Sequence, residues 1–327
     1  MTACKPIRLF VALAAFALAG AGTVAANGPL ETARGQFESC AYNDAIKTLQ
    51  GALAKAPSDA RLLYWLSRSY YELRDYDNAI KFGEGAVKLD AGNSDYWYWL
   101  GRANGGKADR DRSLSWARKT KSAFERAVEL DASNIPARRA LTEYLTEAPA
   151  FLAGGSKSKA REHIGVLVSQ NPVQGHLAWG YYWNAEKEYD KADEAYRKVL
   201  SLKPREMEPY FQAASYYRRR DDAAHMEEAV EAAAKVDASD VRLNYFRGVA
   251  RVVAGNRWDQ AERLLKTYIE KACPRRDDPS PEAAHEWLGR LYERAGKPQQ
   301  ALEHYHSALS LDPGRKSAQE AVKRLQR

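Results

Sequence analysis

The residues that could do acid–base or metal chemistry are scattered along this chain. Six histidines occur among its 327 residues. His285-Glu286 begins like the H-E-x-x-H motif of zinc proteases, but position 289 holds glycine where the second histidine should stand. His304 and His306 are two residues apart, so a helix would point their rings to different faces. We therefore interpret the histidines as surface residues and expect no metal site.

One glycine-rich segment resembles a phosphate-binding loop only superficially. Residues 154–157 read GGSK, but the upstream glycine spacing and the preceding strand are missing. We interpret the segment as a connector whose Ser156 caps the following helix. No nucleophile and base occur at a spacing that supports catalysis. The sequence thus predicts a protein that is not an enzyme and needs no cofactor, with an unrecognised catalytic site as a minor alternative.

The first 26 residues have the composition of an export signal. Lys5 and Arg8 precede an apolar run that ends at Leu18, and small residues follow up to VAA at positions 24–26. The run is too short to act as a stable membrane anchor, and no later segment could cross a membrane. Removal of residues 1–26 would lower the formal net charge from +7 to about +5. We predict an exported protein, periplasmic or secreted, without a transmembrane segment.

The elements that would carry any site are clearest near the end of the chain. Apolar and small residues recur there at helical spacing on both sides of Gly296. They are Leu288, Gly289, Tyr292, Ala301, Tyr305 and Ala308, and Pro313 closes the segment. This pattern resembles the 34-residue tetratricopeptide repeat (TPR), with His285 in place of the usual leading tryptophan. The resemblance implies a helical hairpin that must stack on copies of itself, because one hairpin cannot bury its apolar face.

Seven further copies are predicted upstream, so the resemblance covers essentially the whole chain after residue 26. The first helix of the leading copy is degenerate, as suits a terminal cap. Beyond the last copy, one apolar stripe among Arg and Lys predicts a capping helix over residues 314–327. The predicted fold is an all-α, right-handed TPR solenoid. Its hairpins span about residues 27–57, 60–91, 94–132, 134–172, 173–204, 207–238, 241–274 and 282–313.

The third and fourth copies carry insertions between their two helices, at 104–113 and 146–156. Each adds about seven residues, close to two helical turns, so one extra turn in each helix would preserve the buried faces. In the fourth copy, Pro149 and the glycines at 154 and 155 prevent this. Because the two hairpins are consecutive, the insertions should lie side by side. We expect their apolar residues to pack there as a satellite core, namely Leu114, Trp116, Phe151 and Leu152.

Two cysteines remain after residue 26, and their positions in the repeats decide how they are interpreted. Cys40 lies in the first copy, and Cys273 begins a polar linker, CPRRDDPSPE, after the seventh. An exported protein can form disulfides. An elongated stack, however, would hold the first and seventh copies too far apart for a bridge. We therefore predict two free thiols and a linker that loosens the junction with the eighth copy.

The TPR resemblance implies a concave groove lined by the first helix of each hairpin. Transferring the family's groove positions gives a row dominated by arginine and aromatic residues. Guanidinium groups bind carboxylates in bidentate fashion, and tyrosine offers contact area at low entropic cost. The competing interpretation is a solvated face whose tyrosines pack between repeats. The predicted partner-binding residues are Arg61, Tyr64, Arg68, Tyr71, Tyr98, Arg102, Arg138, Tyr181, Phe211, Arg218, Arg242 and Tyr245, with Arg219, Arg290 and Arg294 as further members of the row.

Basic residues concentrate where the insertions should emerge. From Arg102 to Lys121 there are seven basic and two acidic residues. We predict a basic edge that attracts an anionic partner, with a solvated hairpin tip as the competing interpretation. Its members are Lys107, Arg110, Arg112, Arg118, Lys119, Lys121, Lys157, Lys159 and Arg161.

The sequence thus favours a non-enzymatic scaffold in an extracytoplasmic compartment that holds a protein or peptide, with an acidic segment as one option. The alternative is an envelope-assembly or polysaccharide-export factor that binds an anionic polymer or membrane surface through the basic edge. No nucleic acid is expected. The Lys/Asn carboxylate clamp of chaperone-binding TPR domains is missing from the corresponding positions. The partner's identity stays open, because no motif encodes the contacts of a TPR groove.

Overall fold

The structure, a computed structural model, describes residues 28–273 and 275–327. The predicted export signal at residues 1–26 lies outside this part of the chain. Within it the chain forms helices and no strand, and the predicted all-α TPR solenoid of eight hairpins with a capping helix is confirmed. The helices are α1 (Pro29–Glu38), α2 (Tyr42–Leu53), α3 (Ala60–Glu72), α4 (Tyr76–Leu89), α5 (Ser94–Asp111), α6 (Leu114–Leu130), α7 (Ile135–Glu147), α8 (Ala150–Ala153), α9 (Lys157–Gln170), α10 (Pro172–Ala185), α11 (Tyr189–Ser201), α12 (Glu208–Arg219), α13 (Ala223–Ala234), α14 (Arg242–Ala254), α15 (Trp258–Lys271), α16 (Pro281–Arg294), α17 (Pro298–Leu311) and α18 (Lys316–Leu325).

Side-chain caps and tight turns set the ends of these helices. Asp75 accepts a hydrogen bond from the backbone N–H of Asn78 at the start of α4, and Asn134 accepts one from Ala137 at the start of α7. The turn between α16 and α17 needs a left-handed residue, and Gly296 supplies it at φ +71°. In six other hairpins a non-glycine residue of the turn takes a left-handed conformation, namely Cys40, Arg74, Arg112, Lys187, Asp221 and Arg257.

In four hairpins a glycine of the first helix meets a large residue of the second. A Cβ atom added to Gly289 would lie 2.6 Å from the ring of Tyr305, and one added to Gly180 would lie 2.7 Å from the ring of Tyr196. Both tyrosine rings are buried. Because glycine has no side chain, the aromatic ring of the second helix fills the space beside its Cα atom.

The hairpins stack so that their first helices form one continuous inner row. Helix α3 contacts α5, α5 contacts α7, and α7 contacts α10. The row continues from α10 through α12 and α14 to α16. The second helices pack behind it as an outer layer. A partner that enters the concave side therefore meets the inner row first.

The insertion in the third hairpin lengthens both of its helices. Helix α5 has 18 residues and α6 has 17, whereas the second hairpin's helices α3 and α4 have 13 and 14. The fourth hairpin does not extend in this way, because Pro149 and Gly154 confine the insertion to the single turn of α8. The two hairpin tips are adjacent, since Nε and Nη2 of Arg118 donate to the carbonyl of Leu152 at 3.0 and 2.9 Å.

The satellite core expected at these tips does not form. The side chain of Phe151 is 98% exposed, and Leu114 and Leu152 are exposed as well. Trp116 packs toward the second hairpin instead. Only Ala153 of α8 is buried. A single turn between two helix-breaking residues can direct no more than this one side chain inward, which leaves the larger ones in solvent.

Cys40 and Cys273 form a disulfide, with their Cα atoms 5.9 Å apart. The prediction of two free thiols is wrong. It assumed an elongated stack, in which separation grows with the number of intervening repeats. The stack instead curves, and the segment between α15 and α16 leaves it and reaches back to the first hairpin. We call this segment, Cys273 with residues 275–280, the strap.

Candidate functional site

The strap crosses the inner row and holds helices from both ends of the stack. At its start, Arg275 donates from Nη2 to the carbonyl oxygen of Glu38, at the end of α1, at 2.9 Å. The backbone N–H of Arg276 donates to Oε2 of Glu72, at the end of α3, at 2.8 Å. The linker was expected to loosen its junction. It fastens the eighth repeat to the first two instead.

Arg102 of α5 binds the strap through an ion pair in which one guanidinium nitrogen contacts both carboxylate oxygens of Asp277. Its Nη2 lies 2.7 and 2.8 Å from the two carboxylate oxygens of Asp277. Its guanidinium lies over Trp99 at 4.5 Å and over Tyr71 at 4.7 Å, measured to the ring centroids. The Arg102 side chain is 15% exposed, and that of Asp277 is 65% exposed. An aromatic cradle thus fixes an arginine whose carboxylate partner lies in solvent.

Arg242 of α14 makes the corresponding contact from the other end of the stack. Its guanidinium lies over the ring of Phe211 at 4.7 Å. Nη1 is 3.1 Å from Oδ1 of Asp278, and Nη2 is 2.6 Å from Oδ2 of Asp240. The two adjacent strap carboxylates, at 277 and 278, are therefore each held by an arginine that the sequence assigned to the groove.

Two further contacts fix the strap where α16 begins. Arg74, in the turn after α3, pairs with Glu282 at 3.1 Å. The hydroxyl of Tyr268 in α15 donates to the carbonyl of Pro279. Together with the disulfide, these contacts tie the strap at both ends.

Burial changes the ionisation of the strap's acidic contacts. It raises the pKa of the Glu72 carboxyl, against the opposing hydrogen bond from the Arg276 N–H. It also raises the pKa of the Asp278 carboxyl, against the opposing charge of Arg242. Water is partly excluded from these groups, so their ion pairs are screened less than pairs on an open surface.

The middle of the inner row, which the strap does not contact, carries an arginine that sequence reasoning missed. Arg139 of α7 donates to Glu143 at 3.0 Å, to Gln174 of α10 at 2.7 Å, and also to Gln212 of α12. It bridges three consecutive inner helices. The neighbouring Arg138, which was predicted to bind a partner, is buried.

The buried Arg138 has a structural role. Its guanidinium contacts Nδ1 of His163 at 3.1 Å and donates to the carbonyl of Ala132 at 2.8 Å. The predicted position is therefore one residue away from the arginine that faces the inner row. A helix rotates by about 100° per residue, so an error of one position turns a side chain from the groove into the core.

The other predicted partner-binding residues fall into distinct environments. Tyr71, Phe211 and Tyr245 are buried. The guanidinium of Arg68 lies between Trp65 and Trp99, 4.3 and 4.4 Å from the ring centroids. The half-buried residues are Tyr64, Tyr98, Tyr181 and Arg218, whereas Arg61, Arg219, Arg290 and Arg294 are exposed.

Two of these residues illustrate the difference between groove and capping roles. Tyr181 projects from α10 toward Glu147, and burial together with a hydrogen bond to that carboxylate raises the pKa of its hydroxyl. Arg61 pairs with Asp59, the N-cap residue of α3, at 2.7 Å. Tyr181 therefore pairs with the neighbouring inner helix, and Arg61 is engaged at a helix start.

Carboxylates neutralise part of the basic edge. Lys107 and Arg110 both pair with Asp77, and Arg110 pairs with Asp111 at 2.7 Å. Lys157 pairs with Glu186 at 2.6 Å, and Lys121 pairs with Glu125 at 3.4 Å. Sequence counting missed Asp77 and Glu186 because they come from other hairpins. The other members of the edge are Arg112, Arg118, Lys119, Lys159 and Arg161.

No group of three or more His, Cys, Asp and Glu side chains in residues 28–273 and 275–327 is placed to hold a metal ion. Over the same residues, no helix combines the length and the apolar character needed to cross a bilayer.

Sequence comparison identifies the repeats directly. Residues 30–94, 182–206 and 282–315 match models of the tetratricopeptide repeat family. No curated protein matches the chain.

Several solved structures have a similar fold. A TPR protein from Parabacteroides merdae is 14% identical, with 82% of this chain and 99% of that one covered and a TM-score of 0.50. The APC/C hetero-tetramer Cut9–Hcn1 is 14% identical, with 91% of this chain and 55% of that one covered and a TM-score of 0.52. A thermophilic TPR protein from Thermus thermophilus is 19% identical, with 57% and 96% covered and a TM-score of 0.48. Three stretches of the chain therefore match the tetratricopeptide repeat family, within a stack of helical hairpins that has the TPR-solenoid fold.

Proposed function

We propose that this protein is a non-enzymatic scaffold outside the cytoplasm that holds a partner protein or peptide along the inner row of its solenoid. The observation that carries this proposal is the strap. The inner row already holds an irregular segment of the chain, with groove arginines on two of its carboxylates. A surface that binds such a segment within the molecule has the chemistry to bind one from another protein.

The disulfide supports the extracytoplasmic location. Cys40 and Cys273 are the only cysteines after residue 26, and they are paired. Stable structural disulfides are typical of exported proteins and rare in reducing compartments. This agrees with the export signal that the sequence predicts at residues 1–26.

The proposed contact area includes the part of the inner row that the strap leaves open. Tyr181 is half-buried there, and Arg139 and Glu143 lie on the preceding inner helix, α7. Tyrosine and arginine are the residue types that contribute most to protein interfaces. The charge in this region is mixed, so we expect the partner to carry both polar and apolar side chains here.

Photo-crosslinking in the exporting cell tests the proposal. A photoreactive amino acid at position 181 should trap the partner, and the same group at the exposed Glu194 of the outer helix α11 should not. The trapped protein, once identified and purified, should bind the wild-type chain and lose affinity for Tyr181→Ala. Trapping at 194 alone, or unchanged affinity of a correctly folded Tyr181→Ala variant, would contradict the groove assignment. An uncleaved Met1 terminus on cytoplasmic protein would contradict the location.

A second candidate function is attachment to an anionic membrane surface through the basic edge. The observation that favours it is the exposed side chain of Phe151, next to Leu152. The turn that presents them is fixed, because Arg118 donates to the carbonyl of Leu152 and Tyr144 donates to that of Ala153 at 2.9 Å. An exposed aromatic residue beside cations suits the interface of an anionic bilayer.

Vesicle co-sedimentation distinguishes this candidate. The protein should sediment with vesicles that contain phosphatidylglycerol and not with pure phosphatidylcholine vesicles. Phe151→Ser should weaken sedimentation while leaving the thermal midpoint unchanged, because the side chain touches almost nothing. Val166→Ser, another exposed apolar site, is the control. Equal sedimentation of the two variants would reject the membrane contact.

A further inference from the structure

The ion pair between Arg102 and Asp277 is asymmetric. Arg102 is held by Trp99 of α5 and by Tyr71 of α3, whose hydroxyl accepts a hydrogen bond from Nη2 at 3.0 Å, and little of its side chain reaches solvent. Asp277 lies on the strap, and most of its side chain is in water. The guanidinium would therefore keep its position without Asp277, whereas the carboxylate is free to leave at small cost. In chemical terms, Arg102 is a preorganised receptor and Asp277 is an exchangeable occupant.

Arg242 holds the next carboxylate in a more enclosed ion pair, in which the side chains of Arg242 and Asp278 are 22% and 16% exposed. It lies over Phe211 and is fixed from its own side of the stack by Asp240. Its contact with Asp278 at 3.1 Å is additional to these supports. Two arginines from α5 and α14, far apart in sequence, thus face two consecutive carboxylates of a single strap.

We propose that Arg102 and Arg242 form a binding site for a partner segment with two adjacent carboxylates, and that Asp277 and Asp278 are its resident, displaceable occupants. This inference rests on the proposed function, since it names the partner's chemistry for the same groove. The strap then acts as an internal competitor. Only a segment that matches its paired carboxylates gains access to both arginines.

The tethering of the strap sets how strong this competition is. Cys273 is bonded to Cys40 at one end, and the strap continues into α16 at the other. A tethered occupant competes at an effective concentration that is typically millimolar for a short linker. A partner with a single carboxylate would rarely displace it. The device thereby selects for doubly acidic segments.

The disulfide offers a direct test, because a peptide can be attached where the strap normally is. Cys273→Ser leaves Cys40 as a free thiol beside the groove. A peptide with the sequence ACPRRDDPSPE is supplied as its mixed disulfide with 2-mercaptoethanol. The Cys40 thiolate attacks the peptide sulfur, 2-mercaptoethanol leaves, and the trapped fraction under excess 2-mercaptoethanol reports the non-covalent affinity of the peptide.

Two peptides and three full-length variants complete the design. The matched peptide carries Asn-Asn in place of Asp-Asp. We call Cys273→Ser/Asp277→Asn/Asp278→Asn, whose own strap lacks both carboxylates, the amide-strap variant. On it the acidic peptide should be trapped about two- to tenfold more than the Asn peptide, as expected for one exposed and one more enclosed ion pair. On Cys273→Ser alone, the preference should shrink, because the resident carboxylates compete. Adding Arg102→Gln to the amide-strap variant should remove most of it.

The outcomes separate this inference from the proposed function. Equal trapping of both peptides on the amide-strap variant, or an undiminished preference after Arg102→Gln, would overturn the inference. Far-ultraviolet circular dichroism and thermal melting establish that each variant is folded. Capture of a partner at position 181 without any carboxylate preference would leave the proposed function standing and reject the inference. A carboxylate preference in the peptide test, without capture of any partner at position 181, would reject the proposed function alone.

Discussion

Gly289 determines how closely the two helices of the last hairpin approach. Its missing side chain leaves the space that the ring of Tyr305 occupies, and that ring is anchored by a hydrogen bond from its hydroxyl to Glu293 at 3.0 Å. Sequence reasoning identified this position from the repeat pattern alone, because spacing within one hairpin is a local property. The structure adds the neighbouring atom and the distance, which make the cost of a substitution predictable.

Gly289→Ala should destabilise the protein, whereas the same change at Gly165 should not. The new methyl group at 289 would lie 2.6 Å from the Tyr305 ring, and overpacking of this kind costs about 1–3 kcal/mol. Gly165 lies in α9 with no neighbour within 4 Å, so alanine there should stabilise by up to about 1 kcal/mol through helix propensity. Urea unfolding measures the effects of both substitutions, and hydrogen exchange of residues 282–327 measures the local effect of Gly289→Ala. Effects of the same sign at the two sites would contradict the packing assignment.

At the scale of the helix pair, α16 and α17 share a histidine contact that the sequence did not reveal. Nδ1 of His285 lies 3.1 Å from Nδ1 of His304, and the His304 ring stacks on Tyr292. Both histidines are half-buried and only His306 is exposed, so the interpretation of all histidines as surface residues does not hold for this pair. Their proximity depends on which residues of two helices face each other.

The His285–His304 contact should make the last hairpin sensitive to acid. Burial, and then the charge of His285, lower the pKa of His304 from 6.5 to about 4. The unfolded chain therefore binds a proton at His304 more readily than the folded protein does. The contribution of neutral His304 to the free energy of unfolding is complete above pH 6.5 and is lost as the pH falls toward 4. In His304→Gln, the free energy of unfolding should fall by about 1 kcal/mol less than in the wild type between pH 6.5 and pH 4. This value is reduced because the ring is partly exposed.

Urea unfolding between pH 4 and pH 7 measures this difference, with His306→Gln as the control. Other groups that face the pair, Lys266 and Glu262, are present in both variants and cancel in the comparison. Identical pH profiles for the wild type and His304→Gln would show that the pair does not resist protonation.

At the scale of the whole molecule, the repeats were predictable and their closure was not. Each hairpin follows from residues within 34 positions of one another, such as Gly180 and Tyr196. The path of the strap depends instead on curvature summed over seven hairpins, and small differences at each interface accumulate. This is why the repeats could be predicted, while the pairing of Cys40 with Cys273 was predicted wrongly.

Two signals in the sequence could have indicated the strap. Both cysteines that follow a predicted export signal were left without partners, and the linker carried two arginines followed by two aspartates. The groove predicted for this chain was itself rich in arginine. A linker with adjacent carboxylates was therefore complementary to the surface it was assumed to avoid. Arg139 had no such signal, because its role depends on helix rotation.

Removal of the disulfide should loosen the two regions that it joins. In the double variant Cys40→Ser/Cys273→Ser, we expect faster hydrogen exchange in α1, α2 and the strap, and unchanged exchange in α9 to α13. Loss of a native disulfide typically costs about 2–5 kcal/mol. Because solenoid stability is carried by neighbouring repeats, the loss should stay local to the ends.

Reduction of the wild-type protein is the matched control for that variant. A reductant should reproduce the exchange pattern in the wild type and change nothing in the double variant. Faster exchange throughout the stack would instead mean that closure supports every repeat. Unchanged exchange in α1 and α2 would show that the strap's polar contacts are sufficient without the covalent bond.

The Cys40–Cys273 bond also determines how the molecule would respond to mechanical tension. A pulling force applied at residues 28 and 327 would pass through the covalent bond and bypass the hairpins between the two cysteines. Only the chain outside the bond, α1 and the C-terminal helices α16 to α18, could unravel and lengthen. An unbridged solenoid would extend repeat by repeat like a spring. This one would yield at its ends and then stop, with most of its inner row intact under load.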